Sequence, residues 1–411
     1  YFRTVTVIER DAFSAEPVAR RGVPQGRHVH LLLPAGRATL EDLFPGYGED
    51  IVSNGGVVID ASRDVLHYEE GGFLADGPRP IPMYLASRPL YEHLVRRRIA
   101  AHERIELRSS CQWVDFLVDG DATTVQGVTI RSEEGTTEEL RADLVVDATG
   151  RTSRTPNWLS DHGYVEPEVD EVSVDIAYST VRIERPVDDR RMVFLPHSPP
   201  RTRGGSTPPI EDGGRIVTLF GVHGDQPPTD RDGLIEFAAS LPIPHFARFL
   251  DSQPWISEEV AHYPFPANIR RHYETLDRFP DGLLVIGDAL TSFNPIYGQG
   301  MSVAALEALV LHHTLAAGDR DTLAGRFFDR AEGVIDTAWK LAVGSDFAFP
   351  QTEGTKPRGT ALSNRYVSRL RRRAHNDGVL RDAFYRVIGM EEPPTTLFHP
   401  RIMWHMLKPT S

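Results

Sequence analysis

The chain has a single cysteine, Cys111, among 411 residues. With no second thiol an intrachain disulfide cannot form and a thiolate zinc site is excluded, and the usage fits a reducing compartment such as the cytoplasm. Basic charge is short as well: 45 Lys and Arg stand against 58 Asp and Glu, a net charge of −13. A phosphate-backbone footprint needs a basic face, so nucleic acid is not an expected partner. The one dense basic run, Arg369 to Arg373, reads as a solvated helix face. No apolar run approaches the roughly 18 residues of a membrane span. The G-x-S-x-G elbow of a serine hydrolase is absent, and no internal repeat is found. What remains is an acidic globular chain, 40% apolar, long enough at about 100–200 residues per domain for two or three domains and an enclosed cofactor.

Three short β-branched runs carry the organisation. Thr4 to Glu9 ends in an acid, Asp143 to Ala148 runs into Thr149-Gly150, and Leu283 to Ile286 runs into Gly287-Asp288. Apolar strands that end in Gly and Asp predict a parallel sheet whose C-terminal ends form a ligand crevice. A helix is predicted from Arg88-Pro89, with Leu90, Leu94, Tyr91, Val95 and Ile99 at spacings of four, and another from near Gly300. Residues 161–275 alternate in strand-like pieces broken by Pro- and Gly-rich loops such as Pro199 to Gly214, the pattern of an inserted antiparallel sheet. The fold class is therefore α/β: a Rossmann-like parallel sheet, an inserted mostly antiparallel β-sheet domain, and a helical C-terminal region. The expected boundaries are 1–56, 85–160 and 276–318 for the first, 57–84 and 161–275 for the second, and 319–411 for the third. The tail Leu397 to Met406 reads as a packed helix, with peripheral contact to a membrane surface as the alternative.

Glu9 closes the first strand, where a dinucleotide fold places an acid on the adenosine ribose about 20 residues after a glycine-rich turn. No G-x-G-x-x-G is found near the N-terminus, so the sequence is expected to lack the first strand, turn and helix, on the order of 25 residues. The strongest signal is Gly287-Asp288-Ala289 followed by Pro295, Gly298, Gly300 and Met301. An aspartate there accepts hydrogen bonds from a ribityl chain, the glycines let backbone approach a flat ring, and the following helix offers unpaired N–H groups to an anionic reduced flavin. His28 and His30, with His312 and His313, lack the carboxylate or cysteine companions of a metal site, and none is expected.

This segment resembles the G-D-A-x-x-x-x-x-P-x-x-G-x-G motif of FAD-dependent aromatic hydroxylases and squalene epoxidase. Asp147 to Arg154 is similar to the family's D-G motif, and the segments Arg20 to His30 and Ala86 to Leu90 resemble its two arginine segments. The resemblance is closest to bacterial flavin-dependent epoxidases of polyene or polyether precursors, and covers about residues 1–160 and 262–318. It implies FAD, with Glu9 on the adenosine ribose, Arg20 near the pyrophosphate, Arg88 at the flavin side, Asp288 on the ribityl-pyrophosphate, Pro295 in the loop, and Gly298, Gly300 and Met301 against the isoalloxazine.

The activity so implied is monooxygenation. Oxygen passes from a flavin C4a-hydroperoxide to an alkene or aromatic ring of a hydrophobic small molecule, with O₂ as co-substrate and no catalytic side chain supplied by the protein. A reductase or dehydrogenase of prenyl-type double bonds and a non-catalytic flavin-binding protein stand as alternatives. Two departures concern electron supply and the loop. Thr149 replaces the second acid of the D-G motif, and Thr291 stands where many members carry His. NAD(P)H is thus expected to donate either directly or through a separate flavin reductase. The W-x-W-x-I-P motif of flavin halogenases is absent, which disfavours halogenation. Tyr178, Phe194, Phe220, His262, Tyr263 and Phe265 are the expected pocket wall between flavin and inserted sheet, and His28 is expected at the flavin or substrate pocket.

Overall fold

The computed structural model describes residues 1–318 and 322–408. Two separate pairs of strands are parallel. Val5–Ile8 lies beside Ile105–Arg108, and Val145–Asp147 lies beside Leu283–Val285. The second pair is the more deeply buried: Leu283, Leu284 and Val285 are all enclosed, which is why an uninterrupted apolar run suits this strand. The two pairs are not hydrogen-bonded to each other, and Val5 and Val146 are among the exposed large apolar side chains. An antiparallel three-stranded sheet, Cys111–Val118, Val125–Ser132 and Thr137–Arg141, follows the first pair.

The inserted unit is a nine-stranded mixed sheet. Its centre is Ala261–His272, Glu168–Glu184, Gly214–Gly221, Arg203–Ser206 and Met192–Leu195, all antiparallel neighbours. Val65–Glu69 adds on in parallel to Met192–Leu195. Strand alternation assigns its two faces. Val181, Ile183, Val217, Leu219, Val193 and Leu195 pack under the helices Arg231–Ala239 and His245–Ser252. Even-numbered neighbours such as Tyr178, Phe220 and Val222 point the other way and pack with Phe265, Phe349 and Ile296. Arg203–Ser206 was expected to be loop, within a Pro- and Gly-rich stretch. The two glycines are tolerated in that strand because neighbours fill the space their side chains would take: a Cβ on Gly205 would meet Phe246 at 2.6 Å.

The C-terminal region is helical: Leu323–Asp346, Thr360–Ala374, Gly378–Ile388 and Pro400–Leu407. Leu370, Leu380, Phe384, Leu397, Ile402 and Met406 close over the strands Val57–Asp60, Val65–Glu69 and Pro82–Leu85, so the tail is a packed helix, although Trp404 stays 67% exposed. The reading of Arg369 to Arg373 as a solvated face fails at one position. Helical periodicity turns Leu370, Arg371 and Ala374 inward, and Arg371 reaches Glu69 at 2.6 Å. Among the described residues no helix is long and apolar enough to cross a membrane.

Candidate active site

Two turns leave the second parallel pair side by side, because Asp147 and Val285 are in register. The first is held by Asp147, which accepts from the Thr149 backbone N–H at 2.9 Å and from the hydroxyls of Thr149, Ser153 and Thr155 at 2.6, 2.5 and 2.5 Å. The second begins at Gly287, whose φ of +68° suits glycine and whose N–H donates to Glu307 Oε2 at 2.6 Å. Arg271 joins the two turns, donating to Ala289 O at 3.0 Å and Arg151 O at 2.9 Å.

Beyond Asp288 the loop is pinned from beneath. Asn294 Nδ2 donates to Asp346 Oδ1 at 3.0 Å, Tyr297 Oη donates to the same oxygen at 2.7 Å, and Asn268 Nδ2 donates to Asp346 Oδ2 at 2.8 Å. Asn294 Oδ1 in turn accepts from Tyr178 Oη at 3.0 Å. Burial pushes the Asp346 carboxyl up to about 6, against the pull of these donors. Pro295 starts a single helical turn, Gly298 ends it at φ +67°, and the helix Gly300–Ala316 starts with no side chain capping it. A Cβ built on Gly287 or Gly300 meets nothing within 4 Å, so both glycines border open space.

Charged groups converge on that space. Asp288 has no hydrogen-bond partner among the described residues; burial raises its carboxyl, with Arg151 and Arg88 pulling it down. Arg88 opens the helix Arg88–Ala100, where Ser87 caps and Pro89 follows. Arg88 Nη1 is 3.4 Å from Glu92, and Glu92 also holds Arg20 at 2.8 Å. Arg20 completes the chain to Glu9, at 2.8 Å. The structure thus joins Glu9, Arg20, Arg88 and Asp288 in one electrostatic series, beside Pro295, Gly298 and Gly300. The Met301 side chain instead packs with Tyr47, Leu90, Tyr91 and Leu94, so only its backbone borders the helix start.

Sequence reasoning gave no role to Glu92, Arg151, Glu307 or Asp346. Arg151 was visible within its motif, but its stacking on Phe265 at 4.8 Å depends on the inserted sheet. Of the expected wall residues, Tyr178, Phe194, Phe220, Tyr263 and Phe265 gather on the sheet face that meets Ile296 and Tyr297 of the loop, whereas His262, one step off in the strand alternation, turns to the other face and lies 3.1 Å from Ser179 Oγ. His28 joins them: its Nδ1 lies 2.8 Å from Thr180 Oγ1, and burial lowers the ring to about 4, leaving it neutral.

Residues 79–332 match the family described as "FAD binding domain". Protein Rv3254 of Mycobacterium tuberculosis is 31% identical over 408 residues, covering 94% of this chain and 84% of that protein. The chain belongs to this FAD-binding family. Kynurenine 3-monooxygenase of Salinispora tropica is 26% identical over 75% of this chain and 68% of its own length. In fold, a flavoprotein/dehydrogenase from Cytophaga hutchinsonii is similar with a TM-score of 0.67 at 16% identity, covering 98% of this chain and 90% of that one. FAD is therefore the cofactor of this oxidoreductase.

Proposed function

We propose that this flavoenzyme inserts one oxygen atom of O₂ into an alkene or aromatic ring of an apolar small molecule, held between the Gly287–Met301 loop and the aromatic face of the nine-stranded sheet. The observation that carries this reading is the open space at Gly287 and Gly300 in a loop whose Ile296 packs on the aromatic cluster of Tyr178, Phe220 and Phe265. The donor set suits FAD: Glu9 for the adenosine ribose, Arg20 for the pyrophosphate, Arg88 and Asp288 for the ribityl chain and flavin side, and the Gly298, Gly300 and Met301 backbone for the ring. Pro295 fixes the turn between them. Bound and reduced FAD supplies the electrons that activate O₂.

The protein's own part is to position and to exclude water. The uncapped start of the helix Gly300–Ala316 presents unpaired N–H groups and partial positive charge, which favour an anionic reduced ring. Tyr178 and Tyr297 hold their hydroxyls on Asn294 and Asp346, which fixes both rings in the cluster under the loop. His28, neutral and bonded to Thr180, adds a fixed dipole without a charge. Arg88 and Arg151 offset the Asp288 charge. NAD(P)H supplies the electrons, directly or through a separate flavin reductase; Thr149, in place of the motif's second acid, weighs toward the reductase.

Turnover under ¹⁸O₂ with an electron-supplying reductase and a set of apolar alkenes and arenes tests the reading. One ¹⁸O per product molecule is expected. A reduced, unlabelled product would instead mark a double-bond reductase and overturn it.

A further inference from the structure

A row of directly paired residues crosses the sheet on its loop-facing side: Thr180, Thr218, Ser206, Phe194 and His67. Partners opposite one another in neighbouring strands share a face. One end of the row is satisfied, since Thr180 Oγ1 lies 2.7 Å from Thr218 Oγ1 and 2.8 Å from His28 Nδ1. The other end is not. Ser206 Oγ, His197 Nδ1 and Arg371 Nε are all buried without a hydrogen-bond partner, with Ser206 only 4% and His197 only 7% exposed. Buried polar groups are nearly always paired, so three orphans in one region ask for a ligand.

One guanidinium there lacks a carboxylate of its own. Glu69 is taken by Arg371 at 2.6 Å and by His67 at 3.2 Å. Arg201, half-buried, donates to the Arg203 carbonyl and has no carboxylate partner among the described residues. The His197 ring feels Glu69, Arg201, His223 and Arg371, and burial holds it down at about 3, while burial also lowers His67. Arg201 thus has no carboxylate of its own, and a partly enclosed guanidinium that meets only a carbonyl is a state that a monoanion relieves. The surroundings are apolar and flat: the His197 ring centre is 5.4 Å from that of Phe349, 6.2 Å from Phe220 and 6.3 Å from Tyr297, and Tyr297 belongs to the cofactor loop.

We propose that the substrate is an apolar carboxylic acid whose carboxylate is held by Arg201, His197 and Ser206, with its body running along Phe220 and Phe349 toward Tyr297. This deepens, and rests on, the oxygen-transfer reading above. It makes the substrate amphipathic and fixes which end stays away from the flavin. The site distinguishes an acid from its ester, because only the anion neutralises Arg201 and only a charged acceptor forms the short, strong bonds the orphan donors offer.

Isothermal titration calorimetry on the whole protein tests this with trans-cinnamate, 4-phenylbutyrate and 10-undecenoate, each beside its methyl ester. At least one acid is expected to saturate at millimolar concentration or below and to bind about tenfold or more tightly than its ester. Arg201→Gln is expected to erase that preference. Ser206→Ala removes a hydroxyl that has no partner, so it should raise the melting temperature of the ligand-free protein and still weaken the acid several-fold, a pair of effects that a purely structural serine does not give. Esters binding as well as acids, no acid saturating, or the preference surviving in both variants each overturns the proposal. Flavin content measured on the same samples separates the two levels: retained FAD with no acid preference sinks the carboxylate site alone, whereas absent FAD strikes the underlying reading.

Discussion

Arg20 and Glu9, expected on different parts of the cofactor, form one ion pair, Nη1 to Oε2 at 2.8 Å. The same guanidinium meets Glu92 at 2.8 Å and Asp11 at 3.4 Å, and only 10% of its side chain is exposed. Three carboxylates around one arginine make this a preformed unit. On the proposed reading a pyrophosphate arriving there would compete for donors already in use, so Arg20 would both build the site and serve it.

Arg20→Met is therefore expected to lower stability, by leaving Glu9, Asp11 and Glu92 without their shared counter-charge, and to weaken FAD about tenfold or more. Fluorescence titration with FAD alongside thermal melting checks both. A lowered melting temperature with unchanged FAD affinity would assign Arg20 a structural role only.

Asp346 lies beneath the loop, with Asn268, Asn294 and Tyr297 all donating to it. Asp346→Ala leaves three buried donors unpaired and is expected to cost about 3 kcal/mol or more in unfolding free energy, with FAD affinity falling as the loop loosens. Asp346→Asn keeps the shape and part of the bonding, and about half that loss is expected. Denaturant titration of the two variants beside the parent reads the difference; equal stability of all three would contradict the pinning role.

Glu307 titrates with folding. Burial raises its carboxyl from 4.5 to about 7, only partly offset by the Gly287 N–H it accepts. The folded protein therefore holds this proton more tightly than the unfolded chain does. The resulting stabilisation is full below pH 4.5, shrinks as the pH rises, and is gone above about 7. Glu307→Gln keeps an acceptor for Gly287 and has no proton to lose. Its stability relative to the parent should climb across that window, by about 3 kcal/mol at most, and level off above it. Unfolding curves at closely spaced pH values measure the difference, and a pH-independent offset would contradict the assignment.

The parts legible in the sequence were those whose chemistry is local. Gly287-Asp288 and Pro295 to Gly300 must adopt particular backbone shapes, so residue type at fixed spacing reveals them, and Gly298 at φ +67° shows the demand directly. Arg88 was visible because serine and proline mark a helix start. The residues missed act across long separations. Arg371 meets Glu69 over 302 positions, and Asp346 meets Asn294 over 52. A charged side chain on a helix looks the same in sequence whether it faces solvent or a buried carboxylate, and only the packed C-terminal helices decide it. Arg203–Ser206 was misread for a related reason: glycines unfavourable in an isolated strand are accepted where Phe246 and Phe220 occupy the vacated volume.

The central claim is that a flavin ring lies against the backbone at Gly298 and Gly300, with Asp288 on its ribityl chain. Gly300→Val places carbon in the open space there, with nothing within 4 Å for its Cβ to strike, at a helical position that tolerates side chains. The decisive measurement is the visible absorption of the purified, FAD-reconstituted protein and of this variant, each normalised to protein and paired with its melting temperature. The account predicts about one flavin per chain in the parent and at least a tenfold loss of FAD affinity in the variant, whose melting temperature without flavin stays within a few degrees of the parent's. A variant that binds FAD as well as the parent, or a parent that takes up none, would contradict it.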